Sequence, residues 1–143
     1  MGRRRAWMRS GRPGDEGKSG RGGSFCEAFA GKMNAVVAIT GAIDIVADAE
    51  KAYCIYNGRP EMSSITGTGC QLSALTAAFV TANQEQPLEA AAAAVCAMGL
   101  AGETAYARLS ELDGNATYRN YIIDAIYRMN GEALEAGAKF EVR

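Results

Sequence analysis

The sequence predicts a layered α/β domain, and three observations carry that prediction. Residues 35–40 (AVVAIT) form a continuous apolar run of strand length, the pattern of a strand buried on both faces. Shorter strand-like segments follow at 44–48 and 51–56. After Gly69 the texture changes to long alanine-rich helices over 70–83 and 88–109.

Each element has a local reason. Residues 25–32 read as the last turns of a helix ended by Gly31, and Gly41 ends the strand at 35–40. Asn57-Gly58 is a tight-turn signal, and the segment 61–65 after it is expected to be extended. The helix at 88–109 holds nine alanines between Ala90 and Ala107, with Gly99 and Gly102, so it can pack very closely. A further helix over 116–129 places Tyr118, Ile122, Ala125, Ile126 and Met129 on one face, and Asn130-Gly131 stops it. A helical turn at 132–136 and an extended segment at 139–142 close the chain. Only the strand at 35–40 looks central, and most of the crossover-linked neighbours of a parallel sheet are missing. The body therefore reads as the second half of a larger α/β domain.

Composition narrows the chemistry. The 143 residues are 48% apolar and 22% charged with net charge -1, which excludes wholesale disorder and a polybasic nucleic-acid binder. That balance hides an asymmetry: residues 1–34 hold eight Lys/Arg and three acids, and residues 35–143 hold seven and thirteen. Residues 1–23 contain seven glycines, six arginines and one lysine without helical or strand period. Residues 1–24 are thus expected to be a disordered leader foreign to the fold, and 25–143 the folded body. An RNA-binding Arg/Gly tail is a rival reading of that leader, with Trp7 as its single aromatic. Gly17-Lys18-Ser19 imitates the end of a phosphate-binding P-loop. The spacing fails, however: Gly11 lies one residue too far upstream, and Gly14 is too near. There is no histidine, so imidazole acid/base chemistry and His-ligated metals are excluded. The cysteines Cys26, Cys54, Cys70 and Cys96 form no CxxC pair, and reduced thiols in a cytoplasmic protein are expected. No apolar run is expected to reach membrane-spanning length.

One segment demands a chemical explanation: Thr66-Gly67-Thr68-Gly69-Cys70, between an extended segment and a long helix. Two glycines flank a threonine, so successive backbone N–H groups can turn toward one point at the positive end of the helix, an anion site. Cys70 falls in the first helical turn, where a thiolate is favoured. A glycine-rich turn with a buried cysteine is the plainer alternative.

The segment 36–70 resembles the C-terminal half of the hydroxyethylthiazole kinase family, which has a ribokinase-like fold. Val37-Ala38-Ile39-Thr40-Gly41 with Asp44, Asn57-Gly58 and Ile65-Thr66-Gly67-Thr68-Gly69-Cys70 carry the resemblance, and the helix at 88–107 and Gly114-Asn115 fit downstream. The resemblance covers about 110 residues, and the cysteine is distinctive, since most ribokinase-like kinases have Asp there. It implies a three-layer αβα fold, here incomplete, and phosphorylation of the primary alcohol of 4-methyl-5-(2-hydroxyethyl)thiazole by ATP with Mg²⁺. It also implies a homotrimer where the other half of the domain is supplied. Residue by residue, Thr40 matches an ATP-contacting threonine, Gly67 the glycine that meets the thiazole, Gly67, Thr68 and Gly69 the anion hole, and Cys70 the catalytic position. Asp44 is a candidate supporting residue, more simply a strand-edge aspartate. Mg²⁺ ligands are not identifiable. Cys54 and Cys96 read as small core residues, and Tyr118, Tyr121 and Tyr127 as helix packing. The family's N-terminal half has no counterpart here, so the chain alone is expected to be inactive. Hydroxymethylpyrimidine kinases are the alternative within the same fold. Neither a membrane nor a nucleic-acid partner is expected.

Overall fold

The computed structural model describes residues 16–143, with side chains from residue 22 onward. Helix α1 (Glu16–Met33) precedes strands β1 (Val37–Ile39), β2 (Asp44–Ala47) and β3 (Ala52–Ile55). A 3₁₀ turn (Pro60–Ser64) leads to α2 (Thr68–Ala82), α3 (Pro87–Tyr106), α4 (Asn115–Arg128), α5 (Gly131–Gly137) and β4 (Phe140–Val142). Trp7 and most of the leader arginines lie outside the described residues. Helix α1 starts nine residues before residue 25, and the backbone of Gly17-Lys18-Ser19 is helical, which a phosphate-cradling loop cannot be.

The strands form one antiparallel sheet in the order β1-β2-β3-β4. This corrects the reading of residues 35–40 as a central strand buried on both faces. Strand β1 pairs only with β2 among the described residues, and Ala38 and Ile39 are exposed. The reason is local: four-residue turns link β1 to β2 and β2 to β3, and links that short permit only antiparallel neighbours. Aspartates hold both turns. Asp44 Oδ1 accepts the Gly41 N–H at 2.8 Å, and Asp48 Oδ1 accepts those of Glu50 and Lys51 at 2.8 and 2.9 Å.

Side chains alternate across the sheet with period two. Ile45, Ala47, Ala52 and Cys54 pack with Cys26 of α1, while Val46 and Ile55 pack with Leu88, Ala91, Ala92, Val95 and Cys96 of α3. Helix, sheet and helices thus make three layers. Alpha-1 lies very close to the sheet because its facing residues are small: a Cβ on Gly22 would stand 2.6 Å from Ile45 Cδ1. Helix α3 is the core helix, all its alanines but Ala93 buried between the sheet, α2 and α4. It has the length and hydropathy of a membrane span, contrary to expectation, yet 72% of its most apolar window is buried inside the chain. Helix α4 docks on α3 through Tyr118, Ile122 and Ala125, and the Tyr118 hydroxyl donates to the Gly102 carbonyl at 3.0 Å. Of the other tyrosines read as packing, Tyr121 carries Arg108 over its ring at 4.1 Å, whereas Tyr127 is exposed.

The segment 61–65, expected to be extended, is largely the 3₁₀ turn. Pro60 presets its first residue, and the hydroxyls of Ser63 and Ser64 donate to the carbonyls of Pro60 and Glu61, both at 2.7 Å. These local bonds replace a strand partner. Ile65 then points into the core and fixes where the glycine loop begins.

Candidate active site

The loop 66–67 turns the chain into α2 at Gly67, whose φ is +96°. That left-handed conformation is strained for any residue with a Cβ, which is why glycine stands there. No side chain caps α2, and its first helical hydrogen bond runs from Gln71 N–H to the Gly67 carbonyl at 3.0 Å. The N–H groups of Thr68, Gly69 and Cys70 therefore have no partner within the helix and project from its positive end. A Cβ built on Gly67 or Gly69 would meet nothing within 4 Å, so the space beside this backbone is open.

That helix end borders a cleft of about 1110 Å³. Thr40 and Gly41, just after β1, form one wall, and Thr68, Gly69 and Leu72 of α2 another. Val95, Met98 and Gly99 of α3 lie along its apolar side, and Arg59, Glu103 and Lys139 supply charge. The structure thus brings Thr40, Thr68 and Gly69 onto one cleft, although Thr40 and Thr68 are 28 positions apart in the chain. Gly67 and Cys70 are exposed at the same helix end but are not part of the cleft wall. Asp44 also lines the cleft, and its bond to Gly41 holds the turn that follows Thr40.

Electrostatics divides the cleft. Burial raises the Asp44 carboxyl above its ordinary value of 3.8, and the Gly41 N–H only partly offsets this. The folded protein therefore favours the protonated form. That preference contributes stability at low pH and is lost as pH rises through the raised value. Asp44→Asn keeps an oxygen for Gly41 and removes the charge. The variant is expected to melt above the parent at pH 7, with the difference vanishing once the pH falls below the ordinary aspartate range. Thermal melts across that pH range check it.

The cleft's cations are already paired. Arg59 bonds Glu61 at 3.0 Å and lies over the Tyr106 ring at 4.1 Å, and Lys139 bonds Glu103 at 2.6 Å. The backbone of the α2 end is consequently the part of the cleft best suited to an anion. Among the described residues no group of three His, Cys, Asp or Glu could hold a metal ion.

Sequence reasoning missed the cleft's main organiser. Asn57 is buried at the end of β3; its Nδ2 donates to the Gly137 carbonyl at 3.0 Å and its Oδ1 accepts the Lys139 N–H at 2.7 Å. Glu103 Oε1 accepts the Gly58 N–H at 2.9 Å. Two side chains, Asn57 and Glu103, therefore tie the end of β3, α3 and the link from α5 to β4 together along one wall. The Asn-Gly signal was present, but Gly58, at φ +116°, opens this buried junction rather than a hairpin.

The four thiols are free and differ sharply. Cys26, Cys54 and Cys96 are buried, and burial raises all three; Cys96 is pushed up to about 12, first by burial and then by the Asp44 charge. Cys70 is exposed. Brief alkylation of the native protein is expected to label Cys70 alone, with the other three reacting only after denaturation. Peptide mass spectrometry reads the result.

Comparison with known proteins matches this arrangement to one family. The family model described as hydroxyethylthiazole kinase family matches residues 13–132. A hydroxyethylthiazole kinase from Clostridium acetobutylicum is 57% identical over 118 residues, which is 82% of this chain and 43% of that protein. One from Zea mays is 38% identical over 117 residues, covering 82% of this chain and 41% of its own length. The solved hydroxyethylthiazole kinase of Pyrococcus horikoshii OT3 superposes with TM-score 0.79 at 33% identity, covering 91% of this chain and 49% of that one. The chain thus spans about two fifths of the length of these curated relatives, and its three layers are part of a ribokinase-like fold. With a family match across most of its residues and a shared fold, the chain belongs to the hydroxyethylthiazole kinase family.

Proposed function

We propose that this chain carries the phosphate-accepting end of a hydroxyethylthiazole kinase, which transfers the γ-phosphoryl group of ATP to the primary alcohol of 4-methyl-5-(2-hydroxyethyl)thiazole. The observation that carries the proposal is the uncapped end of α2: Gly67 at φ +96° presents the Thr68, Gly69 and Cys70 amides to open space beside a large cleft. Phosphoryl transfer asks mainly for positioning and for stabilisation of charge on the equatorial oxygens. Three amides and a helix dipole suit that task. ATP supplies the phosphoryl group when bound, and Thr40, which lines the same cleft, is assigned its contact in this reading. Gly67 and Gly69, lacking side chains, leave room for the acceptor beside the loop. Cys70, through its Sγ, takes the hydroxyl proton as the new O–P bond forms and the bond to ADP breaks. The Mg²⁺ implied by the family resemblance finds no ligand cluster among the described residues, so no step is assigned to it.

The 143 residues alone are expected to turn over little or no thiazole. The exposed edge of β1 and an α2 helix with no buried residue leave apolar surface that a longer domain would cover. A coupled ADP assay tests both points. It compares the chain alone with a fusion that supplies the rest of the domain from the Clostridium acetobutylicum relative, using the thiazole and hydroxymethylpyrimidine side by side. Thiazole turnover by the fusion only is expected. Family-like turnover by the chain alone would make the remainder dispensable, preference for the pyrimidine would transfer the acceptor assignment, and an inert fusion would sink the kinase reading.

A further inference from the structure

Two asparagines in the chain are followed by glycine, Asn57 and Asn130. Asparagine is a thermolabile residue, and that pairing leaves it open to spontaneous ring closure. The glycine nitrogen attacks the side-chain carbonyl carbon of the asparagine. A new C–N bond forms, the carboxamide C–N bond breaks and ammonia leaves. Water then opens the succinimide at either carbonyl, giving aspartate or, with the main chain rerouted through the side chain, isoaspartate. Glycine permits the closure because it has no Cβ to obstruct it. Two things block it: an acceptor that holds the glycine N–H, and bonds that hold the carboxamide away from the glycine nitrogen.

The fold treats the two pairs oppositely. Asn57 is 7% exposed, and the Gly58 N–H beside it is held by Glu103 Oε1 at 2.9 Å. Its Nδ2 donates to the Gly137 carbonyl at 3.0 Å and its Oδ1 accepts the Lys139 N–H at 2.7 Å. Closure there needs all three bonds broken together, in a wall packed against α3. Asn130 is exposed, in the short link between α4 and α5. Gly131 is the first residue of α5, so its N–H has no acceptor within the helix, and a Cβ built on it would meet nothing within 4 Å. One bond holds the carboxamide, from the Ala133 N–H to Asn130 Oδ1 at 2.9 Å, and α5 has no buried residue to resist opening. We propose that Asn130-Gly131 is a site of spontaneous modification in the folded protein, converting to aspartate and isoaspartate with water as the co-reactant, and that the bonds around Asn57 keep the same chemistry away from the cleft. The products also differ in what they cost. Aspartate at 130 keeps an oxygen for the Ala133 N–H. Aspartate at 57 sets a carboxylate against the Gly137 carbonyl and the Glu103 carboxylate, acceptors facing acceptors in a buried wall.

The test ages the full 143-residue chain in mildly alkaline buffer, in parallel without denaturant and in urea above its unfolding transition. Peptide mass spectrometry follows the change from amide to acid at each asparagine, and electron-transfer fragmentation tells isoaspartate from aspartate. Asn130 is expected to convert in the native chain, and the ratio of its rate to that of Asn57 is expected to be at least tenfold greater there than in urea. Gly131→Ala, which puts a Cβ on the attacking residue, is expected to slow conversion at Asn130 at least tenfold, with circular dichroism checking that the variant is folded. Asn130→Asp is expected to melt with the parent, and Asn57→Asp well below it or not to fold at all. The rates on the unsubstituted chain stand independently of the variants. No conversion at Asn130 in the native chain, or a rate ratio there less than tenfold above the ratio in urea, would overturn the proposal. So would a folded Gly131→Ala chain that converts at the parent rate, or an Asn57→Asp chain as stable as Asn130→Asp.

Discussion

Cys70→Ser, made in the fusion that completes the domain, is expected to lower kcat about 10²–10³-fold while changing the KM for the thiazole by less than about threefold. Cys70 is the third residue of α2, immediately after the two amides that border the cleft, and it is exposed. Serine nearly preserves volume and polarity, so thiazole binding loses little. A serine hydroxyl, however, cannot take up a proton at neutral pH as a thiolate can, and proton transfer matters in the transition state rather than in the bound ground state. The loss therefore concentrates in kcat. Because the side chain is not in the core, the melting temperature is expected to stay the same, which separates chemistry from folding. Steady-state kinetics with both substrates varied makes the measurement. An unchanged kcat would reduce Cys70 to a surface residue beside an anion site.

Helices were the most legible part of the sequence because their signal is local. The alanine runs, the Pro87 start and the Asn130-Gly131 stop lie within a few residues of the boundaries they set, and α2, α3, α4 and α5 follow them closely. The glycine loop was equally legible, since a helix that starts at the middle residue of Gly67-Thr68-Gly69 needs no distant information to present its amides. Strand placement was not. An apolar run such as 35–40 reads the same in the middle of a sheet as at an edge waiting for a neighbour, and the short turns after it decided the antiparallel pairing. The 3₁₀ turn escaped notice because its cause, two serine hydroxyls bonding back to the carbonyls of Pro60 and Glu61, leaves no periodic pattern. Asn57 was the deepest omission. Its partners Glu103 and Lys139 lie 46 and 82 residues away, so nothing near Asn57 in the chain marks it as more than a turn residue.

The wall that Asn57 organises also predicts the largest loss of stability. Gly99→Ala is expected to destabilise the fold by about 3 kcal/mol, lowering the melting temperature by roughly 10 °C. Alanine ordinarily favours a helix interior over glycine by about 1 kcal/mol, so the expected sign runs against propensity. The added Cβ would stand 2.6 Å from Asn57 Cβ, 2.7 Å from its carbonyl carbon and 2.9 Å from its carbonyl oxygen. Two of those three atoms are backbone, which no rotamer change can move. Nor can the Asn57 segment withdraw freely, since its side chain is bonded to Gly137 and Lys139 while Glu103, on the same helix as Gly99, holds Gly58. Relief therefore requires α3 to lift away from β3, opening the packing around Val95 and Ile55 as well. Gly69→Ala is the internal control, because its Cβ meets nothing within 4 Å and it lies inside α2. That variant should be as stable as the parent or slightly more so. Urea denaturation of the two variants against the parent decides the matter: a Gly99→Ala chain as stable as Gly69→Ala would mean that α3 does not press on Asn57 and that this wall of the cleft is not fixed by that contact.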